Sequence, residues 1–291
     1  MHVDVLKARL RGVLAASVLS LAAAAPAPGA PPDAVRVGGD PHYPPYHYQG
    51  ADGEAQGFDM AVIRVVTAEL GLAPRFEFGE WGRTLDRLER GELDVVPMFV
   101  SDERRQRFLF SRPFMRRQHR LFSRDGEWIE APEALAGRRV AVQFGGMAWE
   151  WLINQQVDAV LRPVNEESLV LVEVMRGDAE FALLPADIGE YTIATQGLEG
   201  LQLSSPPWLE RDYAFGVNPA RPDLVGRLDA GLQALEASGE LEALRQRWLR
   251  PEAPAAGEGW SAGWLLLALP VLLAALAYSL AGRAAGMRKP Q

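Results

Sequence analysis

Cysteine is absent from all 291 residues. That excludes disulfides, thiolate metal sites and a cysteine nucleophile, and it removes the residue through which a lipoprotein is lipidated. It leaves the redox compartment open. Histidine is scarce: only four occur, and His2 lies at the extreme N-terminus. His42 and His47 flank a pair of tyrosines, but two imidazoles without a clear third ligand are a weak metal site, so no metal is expected. No run of lysine and arginine stands in the body of the chain, and the formal net charge is -8. Nucleic acid is therefore not an expected partner, because phosphates need a basic patch. G-x-S-x-G, H-E-x-x-H and a phosphate-binding glycine loop are all missing, so no cofactor is expected either. No short-period repeat is present.

What the chain does contain is enough apolar material for a sizeable core. Hydrophobic residues make up 48% and charged residues 23%, a balance that disfavours disorder and suits one large or two coupled α/β lobes. The first 25 residues carry Lys7, Arg9 and Arg11, then an Ala- and Leu-rich run from Val13 to Ala25. This is the pattern of a secretory signal, with Ala22, Ala24 or Ala30 as the small residue at cleavage and an uncleaved anchor as the alternative. Residues 26–34 are rich in proline and alanine and read as a spacer.

Near the other end, residues 260–282 hold no charge. They include an apolar run from Trp264 to Tyr278 interrupted only by Pro270. Some 20 apolar residues span a hydrocarbon core about 30 Å thick. Trp260, Trp264 and Tyr278 stand where interfacial aromatics belong, and Arg283, Arg288 and Lys289 place the 283–291 tail in the cytoplasm. A single transmembrane helix is predicted, joined to the body by the 251–259 linker PEAPAAGEG.

Between these ends, strand and helix patterns alternate. Strands are predicted at 35–37, 76–78, 93–100 (with Pro97 inside), 138–143, 181–184 and 213–217. Helices are predicted at 58–70, 84–90, 148–156, 166–176 (capped by Asn165), 187–195, 222–238 and 241–249. Such alternation argues for parallel-type sheets covered by helices.

An ordered set of short motifs runs through the same region. Asp40 to Tyr46 reads DPHYPPY, Gly57 to Asp59 reads GFD, and Trp81 precedes Leu88 to Asp94, LERGELD. Glu103-Arg104 precedes Phe110 to Phe114, FSRPF, and Leu135-Ala-Gly137 precedes Val140-Ala-Val142. No piece is specific alone; in this order they resemble the bacterial extracellular solute-binding proteins of family 3, from about Val35 to Leu249. The resemblance implies an α/β, two-lobe type II periplasmic-binding fold that closes on ligand about a hinge. It implies a solute-binding domain over 35–250. The first lobe would be 35–119 with 213–250 and the second 120–212, with crossovers near 120–123 and 209–213.

On this resemblance Arg104 grips a ligand carboxylate, a role its rigid guanidinium fork suits; a solvated place in the basic run with Arg105 and Arg107 is the alternative. Asp40 opens the first motif. Tyr43 and Tyr46 offer aromatic faces to a planar or apolar ligand part, and Trp81 a cleft wall, against the alternative of plain packing. Ser101 and the backbone around Phe99 would add hydrogen bonds. Gly145, Gly146 and Met147 open a helix whose free N–H groups would bind an anion from the second lobe. Asp187 would take a ligand ammonium, although the family's acidic position aligns as well with Pro185.

Four departures weigh against a standard α-amino acid. Ala61 replaces the acid two residues after GFD, the loop before Arg104 is the bulky Pro97 to Ser101, Gly146-Met147 lacks a hydroxyl, and Pro185 competes with Asp187. The expected ligand is then a small polar solute, an amino acid or an organic anion. Partners are an ABC permease or a membrane-bound sensor, since the tail after Arg283 is short for an output domain. Periplasmic dehydratase-like chemistry is the alternative, with Glu166, Glu167, Glu173 and Asp187 as candidate acids or bases.

Overall fold

Residues 34–249 are described by the computed structural model. The expected signal, linker, membrane segment and tail lie outside them, and no helix among the described residues is long and apolar enough to cross a membrane.

The chain opens with β1 (Ala34–Gly39), whose Val35 and Val37 are buried. A small three-stranded sheet follows, β2 (His42–Tyr43), β3 (His47–Gln49) and β4 (Ala55–Gln56). Helix α1 (Phe58–Glu69) buries Phe58, Val62 and Val66 on the inward face that its spacing predicts, together with Ile63, while Val65, expected on the same face, is partly exposed. After β5 (Ala73–Phe78) comes α2 (Trp81–Glu89), three residues earlier than the periodicity implies. The Glu80 side chain sets this start by accepting hydrogen bonds from the backbone of Gly82 and Arg83. β6 (Val95–Phe99) is wholly buried and pairs with β1 only at Val37–Val95. Pro97 therefore lies beyond that ladder, where a missing N–H costs little. Short α3 (Asp102–Arg107) and β7 (Leu109–Phe110) complete this stretch.

Two long strands tie the molecule together. β8 (Met115–Ser123) and, much later, β13 (Leu209–Val217) run antiparallel, from Met115 opposite Tyr213 to His119 opposite Leu209. The expected crossovers fall within them. Between the two lie β9 (Arg139–Gln143), α4 (Met147–Asn154), β10 (Val160–Val164), α5 (Leu169–Arg176), β11 (Phe181–Pro185), α6 (Ala186–Gln196) and β12 (Gln202–Leu203). Helix α5 starts at Leu169 rather than at 166, and Ser168, not Asn165, stands at its cap position without a side-chain bond. Helices α7 (Pro222–Ser238) and α8 (Glu240–Leu249) return to the first lobe.

The other strands form one large sheet, in the order β10-β9-β11-β8-β13-β6-β1-β5, with β12 paired to β8 and β7 to β13. β5, β1 and β6 are parallel neighbours in the first lobe, and β11, β9 and β10 in the second; β8 and β13 join the two sets. Helices cover both sets. In α7 the stripe Leu224, Leu228 and Leu232 packs on α1 and β13, each leucine contributing about 1.5–3 kcal/mol by burial. The second lobe has its own core of Leu121, Leu135, Val140, Leu152, Phe181 and Leu183. At the junction the largest apolar cluster continues from one lobe to the other through Tyr46, Phe99, Tyr213 and Met147.

Candidate binding site between the lobes

The elements that meet at the junction are the C-terminal ends of β1 and β6, the N-termini of α2 and α4, and the middle of β8. They line a cavity of about 20 Å³, whose walls include Tyr43, Trp81, Phe99, Arg104, Met147 and Glu167. That is room for one water and no more.

Arg104 is 2% exposed despite its charge. Its Nε donates to Glu150 of α4 at 3.1 and 3.2 Å and its Nη2 to Glu150 Oε1 at 2.9 Å. Nη1 donates to the Phe99 carbonyl at 3.3 Å and Nη2 also to the Gly145 carbonyl at 3.4 Å. The guanidinium therefore has protein acceptors on all three nitrogens. The carboxylate expected from a ligand is supplied here by Glu150, a residue not singled out from sequence. Trp81 Nε1 donates to the same Gly145 carbonyl at 3.0 Å, and the Arg104 guanidinium carbon lies 5.6 Å from the Trp81 ring. Gly145 thus serves through its oxygen. The Gly146 N–H, expected to be free for an anion, donates to the Gln143 carbonyl at 3.0 Å.

Asp187 is engaged as well. Arg117, in the centre of β8, donates to it through Nε at 2.8 Å and Nη2 at 2.7 Å, and Tyr46 donates its phenol to the same carboxylate. Arg117 is buried, its guanidinium carbon 3.6 Å from the centre of the Tyr46 ring and 5.0 Å from those of Phe99 and Tyr213. A desolvated cation over such faces gains about 2 kcal/mol. Burial works against the Asp187 charge, but the adjacent Arg117 overcomes it and holds the carboxyl below its ordinary range. The place expected for a ligand ammonium is filled by an arginine of the chain itself. Tyr46, held between Arg117 and Asp187, is not in the cavity wall. Tyr43 is, stacked on His47 with centroids 4.7 Å apart.

Asp40 and Ser101 have structural partners rather than open positions. Asp40 is 2% exposed and accepts from the His42 N–H and from Gln143 Nε2, both at 2.8 Å, the second bond crossing between lobes. The Ser101 hydroxyl caps α3 by accepting from the Arg104 N–H at 3.2 Å. His42 lies 3.7 Å from Glu166, and His47 Nδ1 bonds Asp59 at 2.8 Å. Among the described residues, no group of three or more histidines and acids gathers in a way that would hold a metal.

Of the four carboxylates named for acid–base chemistry, Glu167 alone lines the cavity. It is 5% exposed, and among the described residues its carboxyl has no hydrogen bond or ion pair. Burial, with Asp40 adding to it, pushes its pKa up to about 8. His119, two residues after Arg117 on β8, also faces the cavity; burial and the charge of Arg117 lower its pKa to about 3. Arg117 and His119 escape a reading by hydrophobic pattern because MRRQHR is polar throughout. The signal that marks them is strand alternation: Arg117, His119 and Leu121 are buried while Arg116 and Gln118 are exposed.

Comparison with known proteins agrees with this architecture. An L-cystine-binding protein of Escherichia coli (strain K12) is 24% identical over 217 residues, covering 73% of this chain and 81% of the relative. An L-arginine-binding protein of Pseudomonas aeruginosa is 24% identical over 258 residues, covering 83% and 96%. Among solved structures, a histidine kinase sensor domain with similarity to periplasmic binding proteins superposes with a TM-score of 0.72 at 26% identity, covering 76% of this chain and 97% of that one. With two lobes joined by β8 and β13, and with residues 35–251 matching the family as a whole, the chain belongs to the bacterial extracellular solute-binding proteins, family 3.

Proposed function

We propose that this protein binds a small polar organic solute between its lobes, on the outer side of a bacterial inner membrane, for uptake or sensing. The observation that carries the reading is the cavity at the junction, walled from both lobes and lined by the charged Arg104 and the unpaired Glu167. Its about 20 Å³ admits a solute only when the lobes part, a motion that the two strands β8 and β13 are placed to allow. Trp81, Phe99, Met147 and Tyr43 supply apolar walls, as solute sites commonly have. Asp40, Tyr46, Arg104, Gly145 and Asp187 join the lobes in the closed state, so they act on affinity through closure.

Secretion rests on the basic and apolar pattern of residues 1–25, and tethering on the uncharged stretch 260–282 followed by Arg283, Arg288 and Lys289. The relatives named for L-cystine and L-arginine binding support a solute of amino-acid size, and the sensor-domain likeness supports signalling beside uptake. Permease and ATPase genes next to this one would favour uptake; a kinase or cyclase gene would favour signalling.

A thermal-shift panel of amino acids, organic acids and amines on the purified full-length chain tests the reading. At 100 times its dissociation constant a true ligand adds about 2.7 kcal/mol of stability. A panel in which no compound raises the Tm would sink it.

A further inference from the structure

Three side chains in the cavity wall carry a polar atom without a partner. Glu167 presents a carboxyl with no bond to it. His119 makes a backbone hydrogen bond with Leu209 while its buried Nδ1 has no partner. His47 is bonded at Nδ1 by Asp59, and its buried Nε2 has none. Both nitrogens are buried and unbonded, and an imidazole nitrogen that carries no proton accepts a hydrogen bond. All three residues line the same cavity. Arg104 is bonded through Nε, Nη1 and Nη2, Gln143 Nε2 donates to Asp40 and to the Asn165 carbonyl, and the Tyr43 hydroxyl accepts from Arg117 Nη1.

Charge points the same way. Around the junction stand the acids Asp40, Asp59, Glu150, Glu167 and Asp187 against the guanidiniums of Arg104 and Arg117. The Glu150 carboxylate occupies the open side of Arg104 at 2.9 Å.

We infer that the cavity receives the cationic head of an amine that brings no carboxylate of its own, with Glu167 taking the ammonium or guanidinium group while Glu150 already fills the anion place beside Arg104. This rests on the solute-binding reading and narrows it. The bound cation is held by Glu167, with His119 Nδ1 and His47 Nε2 as further acceptors. Glu167 is faced by Asp40 from the end of β1, Tyr43 from β2, Arg104 from α3, Arg117 and His119 from β8, and Asp187 from α6. In that setting the empty site keeps a proton on the Glu167 carboxyl at neutral pH, and a cation displaces it.

The test is calorimetry on the full-length chain with agmatine and putrescine, against L-arginine, L-glutamate and succinate. Agmatine or putrescine should bind at least tenfold more tightly than L-arginine at pH 7. Close to one proton should be released per amine bound, read from heats in buffers of different ionisation enthalpy. Glu167→Gln should weaken the amine at least 30-fold and abolish proton release. The isosteric change removes a buried, unpaired acid, so the variant should keep the wild-type Tm or exceed it. Binding of L-glutamate, succinate or L-arginine without the amines would overturn the inference yet leave solute binding standing. Amine binding that is unchanged in Glu167→Gln would overturn the assigned residue. If none of the five binds, the inference falls, and the broader panel decides the fate of solute binding.

Discussion

Arg104 of α3 and Glu150 of α4 meet across the lobe junction, Nη2 to Oε1 at 2.9 Å, with the arginine 2% and the carboxylate 22% exposed at the side chain. The pair does two things at once. It latches the lobes, and it satisfies the guanidinium that would otherwise call for an anionic guest.

Glu150→Gln should therefore loosen closure and change selectivity together. Breaking a fully buried pair costs about 3–5 kcal/mol. With Glu150 partly solvated, a loss of about 1–3 kcal/mol is expected, a Tm lower by roughly 3–10 °C. The freed Arg104 should then let L-arginine gain on agmatine by at least tenfold. A Tm within one degree of wild type, with selectivity unmoved, would mean that the pair is not formed in solution.

Gly57 controls the first aromatic loop from beneath. Its φ is +109°, and a Cβ there would lie 2.4 Å from the Tyr46 carbonyl oxygen. That oxygen accepts the Asp59 N–H at 2.8 Å at the start of α1. Gly53 has a comparable φ of +83° but open space around it. Gly57→Ala should cost about 2–4 kcal/mol and Gly53→Ala about 1 kcal/mol, measured as urea midpoints. Equal losses would remove close approach as the reason for glycine at 57.

The Glu167 carboxyl makes stability depend on pH. Its pKa rises from 4.5 in the open chain to about 8 in the fold, so between those values the folded state binds more protons than the unfolded one. Stability is then fully present below about pH 4.5 and is lost as pH rises through 8. From pH 5 to pH 8 the wild type should lose up to about 4 kcal/mol relative to Glu167→Gln. Urea denaturation at the two pH values measures it; parallel profiles for the two proteins would show the carboxyl ionised throughout.

The alternation of strands and helices, the α1 face of Phe58, Val62 and Val66, and the order of motifs from DPHYPPY onward are local patterns. Burial periodicity and glycine punctuation act over a few residues, so the fold class and the family are legible along the chain. β8 was not, because a strand whose inward side chains are Arg117 and His119 carries no apolar alternation.

Through the family resemblance, the motifs along the chain carry the expectation that Arg104, Asp187, Trp81 and Tyr43 face one cleft; Arg104, Trp81 and Tyr43 share a cavity wall, while Asp187 is bonded to Arg117 and Tyr46. Only the tertiary structure decided what each faces. Glu150 is 46 residues from Arg104, Asp187 is 70 from Arg117, and Tyr46 is 141 from Asp187. Whether a buried charge meets a guest or a neighbour depends on which side chain reaches it first. That is fixed by how β8, α4 and α6 pack, and no residue spacing records it.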